Sequence, residues 1–363
     1  MLSKIFVILL SLMFRKSKNI ISIATSGAEN SIDFTHTIMV LEKIASAQDH
    51  KNNLTVFVHC NYVPKTDNAS EVVRFLEKGT LKSAYYLLRS SIYIITHGVR
   101  DAGAVFNFRS KIINIWHGAP IKKIGLDSGL SEANLSTISM TKLWDFFVVP
   151  SVYWRSQFKR AYGFPENKIV DIGYPRHEYL NNHRRLKRSS AHYSSRKKII
   201  YAPTYRAGIV DGDIFKIFRN AQFESYIKKN NIEFIFKSHP LDGLVELSDG
   251  VVDGSTRCLE FELLSCDLLI SDCSSVIYDA AVAGVETMLF FPDFEEFREV
   301  VGGFYNDFPH SEFLNGNMYR DIFVLLEDYK NKVGLVDFDL NSGYLGLDFS
   351  QGFECLINEI LND

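Results

Sequence analysis

The 363-residue chain is 46% hydrophobic and 13% aromatic, enough apolar surface for genuine cores, which excludes general disorder. Its length exceeds that of one ordinary domain and points to two. A formal net charge of -3 excludes a protein that holds nucleic acid by bulk electrostatics, so any anion site has to be local.

The first feature along the chain is an apolar run at 5–14, preceded by Lys4 and followed by Arg15, Lys16 and Lys18. It is too short to span a bilayer, and no small-residue cleavage site follows it. It reads as a buried first helix, with a membrane-surface helix beside basic residues as the alternative. Short apolar runs at 20–24, 54–58, 92–96, 111–116, 146–149 and 169–172 then alternate with helix-like stretches, the pattern of a parallel sheet with crossover helices. A second series at 198–201, 232–236, 268–271 and 287–291 repeats it. Between the two, 181–198 carries Arg184, Arg185, Lys187, Arg188, Arg196, Lys197 and Lys198 among serines. This reads as an exposed basic linker rather than a patch for anionic lipid or nucleic acid. The expected organisation is an N-terminal Rossmann-like domain at 1–180, the linker at 181–198 and a C-terminal Rossmann-like domain at 199–363. Two successive doubly wound Rossmann-type domains facing a central cleft make a GT-B-like α/β fold, with ligands expected at the carboxyl ends of the strands. The cysteines are odd in number and lack zinc-like spacing, which suits reduced thiols in a cytosolic protein.

Three segments carry chemistry. In the first, the predicted strand at 111–116 ends on His117, flanked by Gly118 and Pro120. Such a turn can present an imidazole able to accept a proton from an attacking hydroxyl at neutral pH. In the second, the strand at 232–236 runs into Lys237, Ser238, His239 and Pro240, where Lys237 and His239 could neutralise a diphosphate. The third, at 267–281, is a strand that breaks at Asp272, Cys273, Ser274 and Ser275 and passes into an Ala-rich helix. Helix-start N–H groups and serine hydroxyls there would cradle a phosphate without a Walker lysine. Asp279, four residues after Ser275, is a candidate acceptor for ribose hydroxyls. Loops containing His97, Arg176, and Thr204 with Arg206 add a second histidine and two cations that could clamp phosphate oxygens.

In order, WHGAPIKKIG at 116–125, VVPSVYWRSQFKRAYGFPENKIVDIGYPR at 148–176, YAPTYR at 201–206, KSHP at 237–240 and SDCSSVIYD at 271–279 resemble the CDP-glycerol:poly(glycerophosphate) glycerophosphotransferase family, which builds teichoic acids and some capsules. The likeness runs from about 92 to 305. It implies that an acceptor hydroxyl attacks the phosphorus next to glycerol and CMP leaves. By that likeness His117 is the base, His239 contacts the donor phosphates, and Ser274, Ser275 and Asp279 lie in the donor segment. The implied partners are a CDP-glycerol or other CDP-polyol donor and a lipid-linked or polymer acceptor; the expected location is the cytoplasm, with peripheral contact at the inner face of the cell membrane as the alternative.

Departures from the family pattern are Lys237-Ser238 in place of Arg-Pro, Cys273 in place of a common Tyr, and Gly302-Gly303-Phe304-Tyr305 in place of Arg-Gly-Phe-Tyr, with Arg298 as a substitute cation nearby. No acidic pair or histidine cluster demands a structural metal, and the sequence is silent on a divalent ion accompanying the diphosphate. The rival readings are a GT-B glycosyltransferase using a nucleotide sugar and a non-catalytic scaffold of a polymer-assembly complex. Retention of both His117 and His239 counts against the second.

Overall fold

The computed structural model describes residues 10–26, 31–47, 54–63, 70–129, 132–189, 196–205, 215–238, 246–310 and 314–362. It divides into two units: Met1–His117, Leu130–Glu178 and Leu345–Asp363 form the first, Gly118–Gly129 and Tyr179–Tyr344 the second.

The first unit is a parallel sheet of β1 (Ser17–Ala24), β2 (Thr55–Cys60), β3 (Val73–Glu77), β4 (Ser90–Ile95), β5 (Lys111–Asn114), β6 (Phe146–Val148) and β7 (Ile169–Val170), in the order β3-β2-β1-β4-β5-β6-β7. Ile21 pairs with Val56 on one side and Ile92 on the other, and all three are fully buried. Burial on both faces explains why these strands read as continuous apolar runs rather than alternating ones. The strand order reverses between β1 and β4, so the loops that leave these two neighbours diverge.

One polar network crosses this sheet. Ser22 Oγ lies 2.6 Å from Ser90 Oγ and 3.0 Å from Nε2 of His59, whose Nδ1 is 2.7 Å from Ser83 Oγ. His59 is fully buried, and desolvation, with a smaller contribution from Lys78, pushes its pKa down to about 3. A neutral imidazole with both nitrogens bonded is the form this interior tolerates.

The second unit repeats the plan with β8 (Lys197–Ala202), β9 (Ile232–Phe236), β10 (Val251–Asp253), β11 (Leu268–Ser271), β12 (Glu286–Phe290) and β14 (Met318–Tyr319), ordered β10-β9-β8-β11-β12-β14. Its reversal falls between β8 and β11. β13 (Leu314–Asn315) and β15 (Asp337–Phe338) form a separate antiparallel pair. One face packs as an aromatic layer: Phe218 stacks on Phe234 with ring centroids 5.5 Å apart, and Phe223 meets Phe234 edge-on at 4.9 Å. The expectation of two doubly wound α/β domains holds.

Several details differ from expectation. β3 and β10 are edge strands, and the mixed polarity of VRFLE and VVD hides them from a search for apolar runs. The basic stretch expected as a linker at 181–198 begins inside the helix Pro175–Ser189 and ends inside β8. Its Arg, Lys, Leu and Asn residues include no Gly or Pro to stop a helix. Segment 118–129 joins the second unit because its backbone pairs there, and the helix Phe349–Asn362 packs on the helix Ile32–Ser46 of the first. That return is locked where Glu178 Oε2 accepts from the Ser350 N–H (2.8 Å) and hydroxyl (2.6 Å) and bonds His36 Nε2 (3.0 Å). Gly173, at φ +83, allows the Gly346 backbone to approach so closely that a Cβ would sit 2.7 Å from its carbonyl oxygen.

The apolar run at 5–14 lies partly outside the described residues. Of the part described, Ser11 is buried but Leu12 and Met13 are 58% and 78% exposed, so this turn is not the buried helix expected. Among the described residues no helix is long and apolar enough to cross a membrane.

Candidate functional site

In the first unit the candidate site forms where β4 and β5 end. Past β4 the chain turns through Thr96, His97 and Gly98, and the buried Asp101 carboxylate closes the turn. Oδ2 accepts from the N–H groups of Thr96 (2.9 Å) and His97 (3.0 Å), and Oδ1 from that of Gly98 (3.0 Å). Three donors that leave the sheet are satisfied by one side chain. Past β5, fully buried Asn114 accepts from the Trp116 N–H through Oδ1 (2.7 Å) and donates to the His97 carbonyl (3.4 Å). Trp116 sits at φ +57, a left-handed conformation that a bulky residue adopts only under constraint. The constraint is aromatic packing, with Phe147 and Tyr162 edge-on at 5.4 and 5.6 Å.

His117 follows directly. Its Nδ1 is 3.2 Å from the Thr96 carbonyl, which can only accept, so Nδ1 carries the proton and Nε2 keeps its lone pair. The His97 and His117 rings stack in parallel at 4.2 Å. Both residues keep an exposed face while protein crowds the others. Desolvation, then the His97 ring and the Arg176 cation, hold the His117 imidazole well below its ordinary pKa, against the Thr96 bond that favours the proton. His97 is lowered as well, by desolvation first and Arg176 next, opposed by Asp101 and Asp33. The pair therefore stands neutral near pH 7.

Arg176 holds this turn from behind. Its Nε donates to Asp33 Oδ2 at 2.7 Å, its backbone N–H to Oδ1 at 3.0 Å, its Nη2 also to Asp33, and Nη2 donates to the His117 carbonyl at 2.9 Å. The side chains are 11% and 4% exposed, so this is a largely buried ion pair in which two guanidinium nitrogens share one carboxylate oxygen and the backbone N–H takes the other. The guanidinium expected to clamp a phosphate is committed to Asp33 and to the backbone of His117.

In the second unit the equivalent strand ends belong to β8 and β11. Fully buried Asp272 accepts from the Thr204 N–H (2.9 Å to Oδ2) and from the Thr204 hydroxyl (2.6 Å to Oδ1). This ties the two loops at the reversal point together. Ser274 and Ser275 are half-buried and precede the helix Val276–Ala283; Ser275 makes no side-chain capping bond to it. The start of that helix thus offers hydroxyls and N–H groups to an anion. Asp279 is only 4% exposed within it, which leaves little carboxylate surface for a ribose. At the end of β9, Lys237 Nζ donates to the Ser255 carbonyl at 2.6 Å. Its pKa is lowered by desolvation against the nearby Cys258, Glu260, Asp253 and Glu262. His239 and Arg206 lie outside the described residues.

Gly118 is pressed against this second turn: a Cβ there would be 2.8 Å from Ser275 Oγ. The strap it begins is bonded across to the Gly-Gly-Phe-Tyr stretch, with Lys123 N–H to the Gly303 carbonyl (3.1 Å), Tyr305 N–H to the Ile121 carbonyl (2.8 Å) and Tyr305 Oη to Asp127 Oδ2 (2.7 Å). Where an Arg was expected, Gly302 adopts φ +71 against the Ser128 backbone. Arg298 is exposed. Among the described residues no three His, Cys, Asp or Glu side chains converge as a metal site.

A family model for CDP-glycerol:poly(glycerophosphate) glycerophosphotransferases matches residues 5–332. The chain belongs to this family. It is 27% identical over 229 residues to the teichoic acid glycerol-phosphate transferase of Staphylococcus aureus, covering 55% of this chain and 57% of that protein. It is 26% identical over 259 residues to the teichoic acid poly(glycerol phosphate) polymerase of Bacillus spizizenii, covering 65% of each. The chain thus spans 57% to 65% of the length of these two relatives. The solved wall teichoic acid polymerase TagF superposes with a TM-score of 0.72 at 19% identity, over 98% of this chain and 92% of that one, a likeness of fold.

For a member of this glycerophosphotransferase family, the residues that sequence reasoning overlooked are those that fix the turns. Asp33, Asp101 and Asn114 are buried polar side chains inside or beside apolar runs. A lone Asn closing KIIN, or an Asp in the first turn of a helix, was the available signal.

Proposed function

We propose that this glycerophosphotransferase-family chain transfers a glycerol-phosphate unit from CDP-glycerol to a hydroxyl of a teichoic-acid-like polymer and releases CMP. The observation that carries the reading is His117, with Nδ1 spent on the Thr96 carbonyl and Nε2 left as a proton acceptor, in a chain of this family. The acceptor oxygen forms a bond to the phosphorus next to glycerol as the bond from that phosphorus to the bridging oxygen breaks. The hydroxyl proton passes to Nε2 of His117, and CMP carries the bridging oxygen away. A depressed pKa keeps the imidazole unprotonated at neutral pH, and an arriving phosphate raises its proton affinity through its own negative charge.

Asp33 and Arg176 position the His117 turn, and His97 stacks against the ring. Ser274, Ser275 and the N–H groups that follow them bind the diphosphate, with His239 and Arg206 as further donor contacts, Lys237 and Gly118 beside them, and Thr204 and Asp272 fixing the turn. Relatives are named for glycerol phosphate and for ribitol phosphate, so both donors belong in the test.

That test is CMP release from CDP-glycerol and CDP-ribitol, beside UDP-glucose, with a polyol-phosphate acceptor. Turnover of a CDP-polyol that drops about 100- to 10,000-fold in His117→Ala, the range for a lost general base, and drops in His239→Ala is the expected result. Turnover of the sugar nucleotide alone, or full activity in His117→Ala, refutes the reading.

A further inference from the structure

We propose that His97 is an acceptor-binding residue that takes a hydrogen bond from the hydroxyl next to the attacking one, so that the site reads a vicinal diol at the end of the acceptor. The identity of the acceptor rests on the transferase reading above; the pair of open nitrogens rests on the geometry of the turn.

Both imidazoles hang on one residue. Thr96 holds His117 through its carbonyl oxygen, 3.2 Å from Nδ1, and His97 through its hydroxyl oxygen, 2.8 Å from Nδ1. The Thr96 hydroxyl has a single hydrogen to give, and it goes to Asp101 Oδ2 at 3.3 Å, because a carboxylate can only accept. Thr96 Oγ1 is therefore the acceptor toward His97, as it is toward the Thr25 hydroxyl at 2.9 Å. His97 then carries its proton on Nδ1, the tautomer already found for His117, and its Nε2 keeps the lone pair.

The two rings are parallel to within 5° with centroids 4.2 Å apart. With both Nδ1 edges turned to Thr96, the two Nε2 edges lie together on the far side. Among the described residues neither Nε2 has a hydrogen-bond partner, and both residues are exposed. Desolvation lowers the proton affinity of each ring, so both lone pairs remain available near pH 7.

Two lone pairs side by side define the ligand. A phosphodiester anion has no hydrogen to donate, and one hydroxyl has only one. Parallel rings aim their lone pairs alongside each other rather than at a single point, which does not suit a metal ion. Two hydroxyls on adjacent carbons, with oxygens about 3–4 Å apart, give each nitrogen its own hydrogen. A glycerol unit attached through one end carbon presents such a pair, a primary hydroxyl beside a secondary one. His117 accepts the proton of the hydroxyl that attacks, and His97 accepts a hydrogen bond from its neighbour without taking the proton. That second bond fixes the rotation of the terminal carbon–carbon bond and so aims the attacking oxygen.

The test measures CMP release from CDP-glycerol with two synthetic phosphodiester acceptors that differ only in the last unit. One ends in glycerol; the other ends in a hydroxypropyl group, which keeps the primary hydroxyl and lacks its neighbour. The wild type should favour the glycerol end in kcat/KM about three- to tenfold, the worth of one neutral hydrogen bond. His97→Asn, whose amide can keep the bond to Thr96 but stops short of Nε2, and His97→Phe, which keeps a ring against His117, should both lose that preference. The preference is a ratio within each variant, so damage to the fold or to His117 cancels from it. A wild type that treats the two acceptors alike, or variants that retain the preference, overturns the proposal. Nitrogen NMR shifts of the histidine rings, recorded with acceptor and no donor and assigned with His97→Asn, give an answer that needs no turnover. The glycerol-ended acceptor should move the His97 Nε2 signal and the hydroxypropyl-ended one should not; equal responses overturn the proposal. If no CDP-polyol yields CMP with either acceptor, the transferase reading falls while the shift comparison still decides the diol contact.

Discussion

At the strand ends of the two units a buried aspartate closes the loop, yet the two loops leave opposite kinds of group open. Asp101 gathers three backbone N–H groups, and the neighbouring turn ends in an imidazole whose free nitrogen accepts a proton. Asp272 gathers the N–H and hydroxyl of Thr204, and its neighbours are two serines at a helix start, a cluster of donors. One fold plan thus leaves an acceptor nitrogen open in one copy and hydrogen-bond donors in the other. The carboxylates are engaged by their own loops, and the groups left open belong to the neighbouring residues. A buried carboxylate that satisfies backbone donors gives a loop one conformation, so its neighbours can be chosen for reactivity.

The sharpest way to break the comparison is at Asp33. Asp33→Ala leaves the Arg176 guanidinium buried without its carboxylate, and loss of one partner of a buried pair costs about 3–5 kcal/mol. Urea unfolding should show a loss of that size, and kcat should fall because the His117 carbonyl loses its anchored donor. Unchanged stability would mean that the base turn needs no such support.

The next effect depends on pH and belongs to the first unit. His59 has a folded-state pKa near 3 against 6.5 for the ordinary group. Between those values the unfolded chain binds the extra proton, so stability is complete above about pH 6.5 and declines as pH falls, by up to about 1.4 kcal/mol per pH unit. Denaturant midpoints at pH 7.5 and 5.5 should separate more for the wild type than for His59→Gln. Equal separations would place the acid sensitivity elsewhere.

The smallest effect sharpens the other side. Ser275→Ala removes one hydroxyl from the cradle and no bond to the helix, so the melting temperature should hold. The KM for CDP-glycerol should rise about three- to tenfold, the worth of one hydrogen bond of about 0.5–1.5 kcal/mol. A lowered melting temperature with an unchanged KM would make Ser275 a structural cap.

The strands that build both switch points were legible because each is buried on two faces and therefore spelled in Ile, Val, Leu and Phe, as in SIYII at 91–95 and LLI at 268–270. The turns that carry His117 and Ser275 were legible because a strand that ends on a polar turn announces itself. Arg176 was found with the wrong partner: the sequence shows a cation in a turn but not Asp33, 143 residues away. Asp272 and Asp279 were read as ligand contacts, yet burial turns the first into a strut and withdraws most of the second from solvent. Edge strands and the strap at 118–129 escaped because their pairing depends on backbone bonds to remote segments, which side-chain patterning does not record.

The helix Phe349–Asn362 has a consequence in time. It follows the strands of the second unit in the chain, yet it packs on the helix Ile32–Ser46, and Ser350 bonds Glu178 there. During vectorial synthesis the described strands of the second unit precede this helix of the first. A ribosome that pauses just after Tyr344 therefore holds a nascent chain in which the strands of the second unit have been made while the helix Ile32–Ser46 of the first still lacks its packing partner.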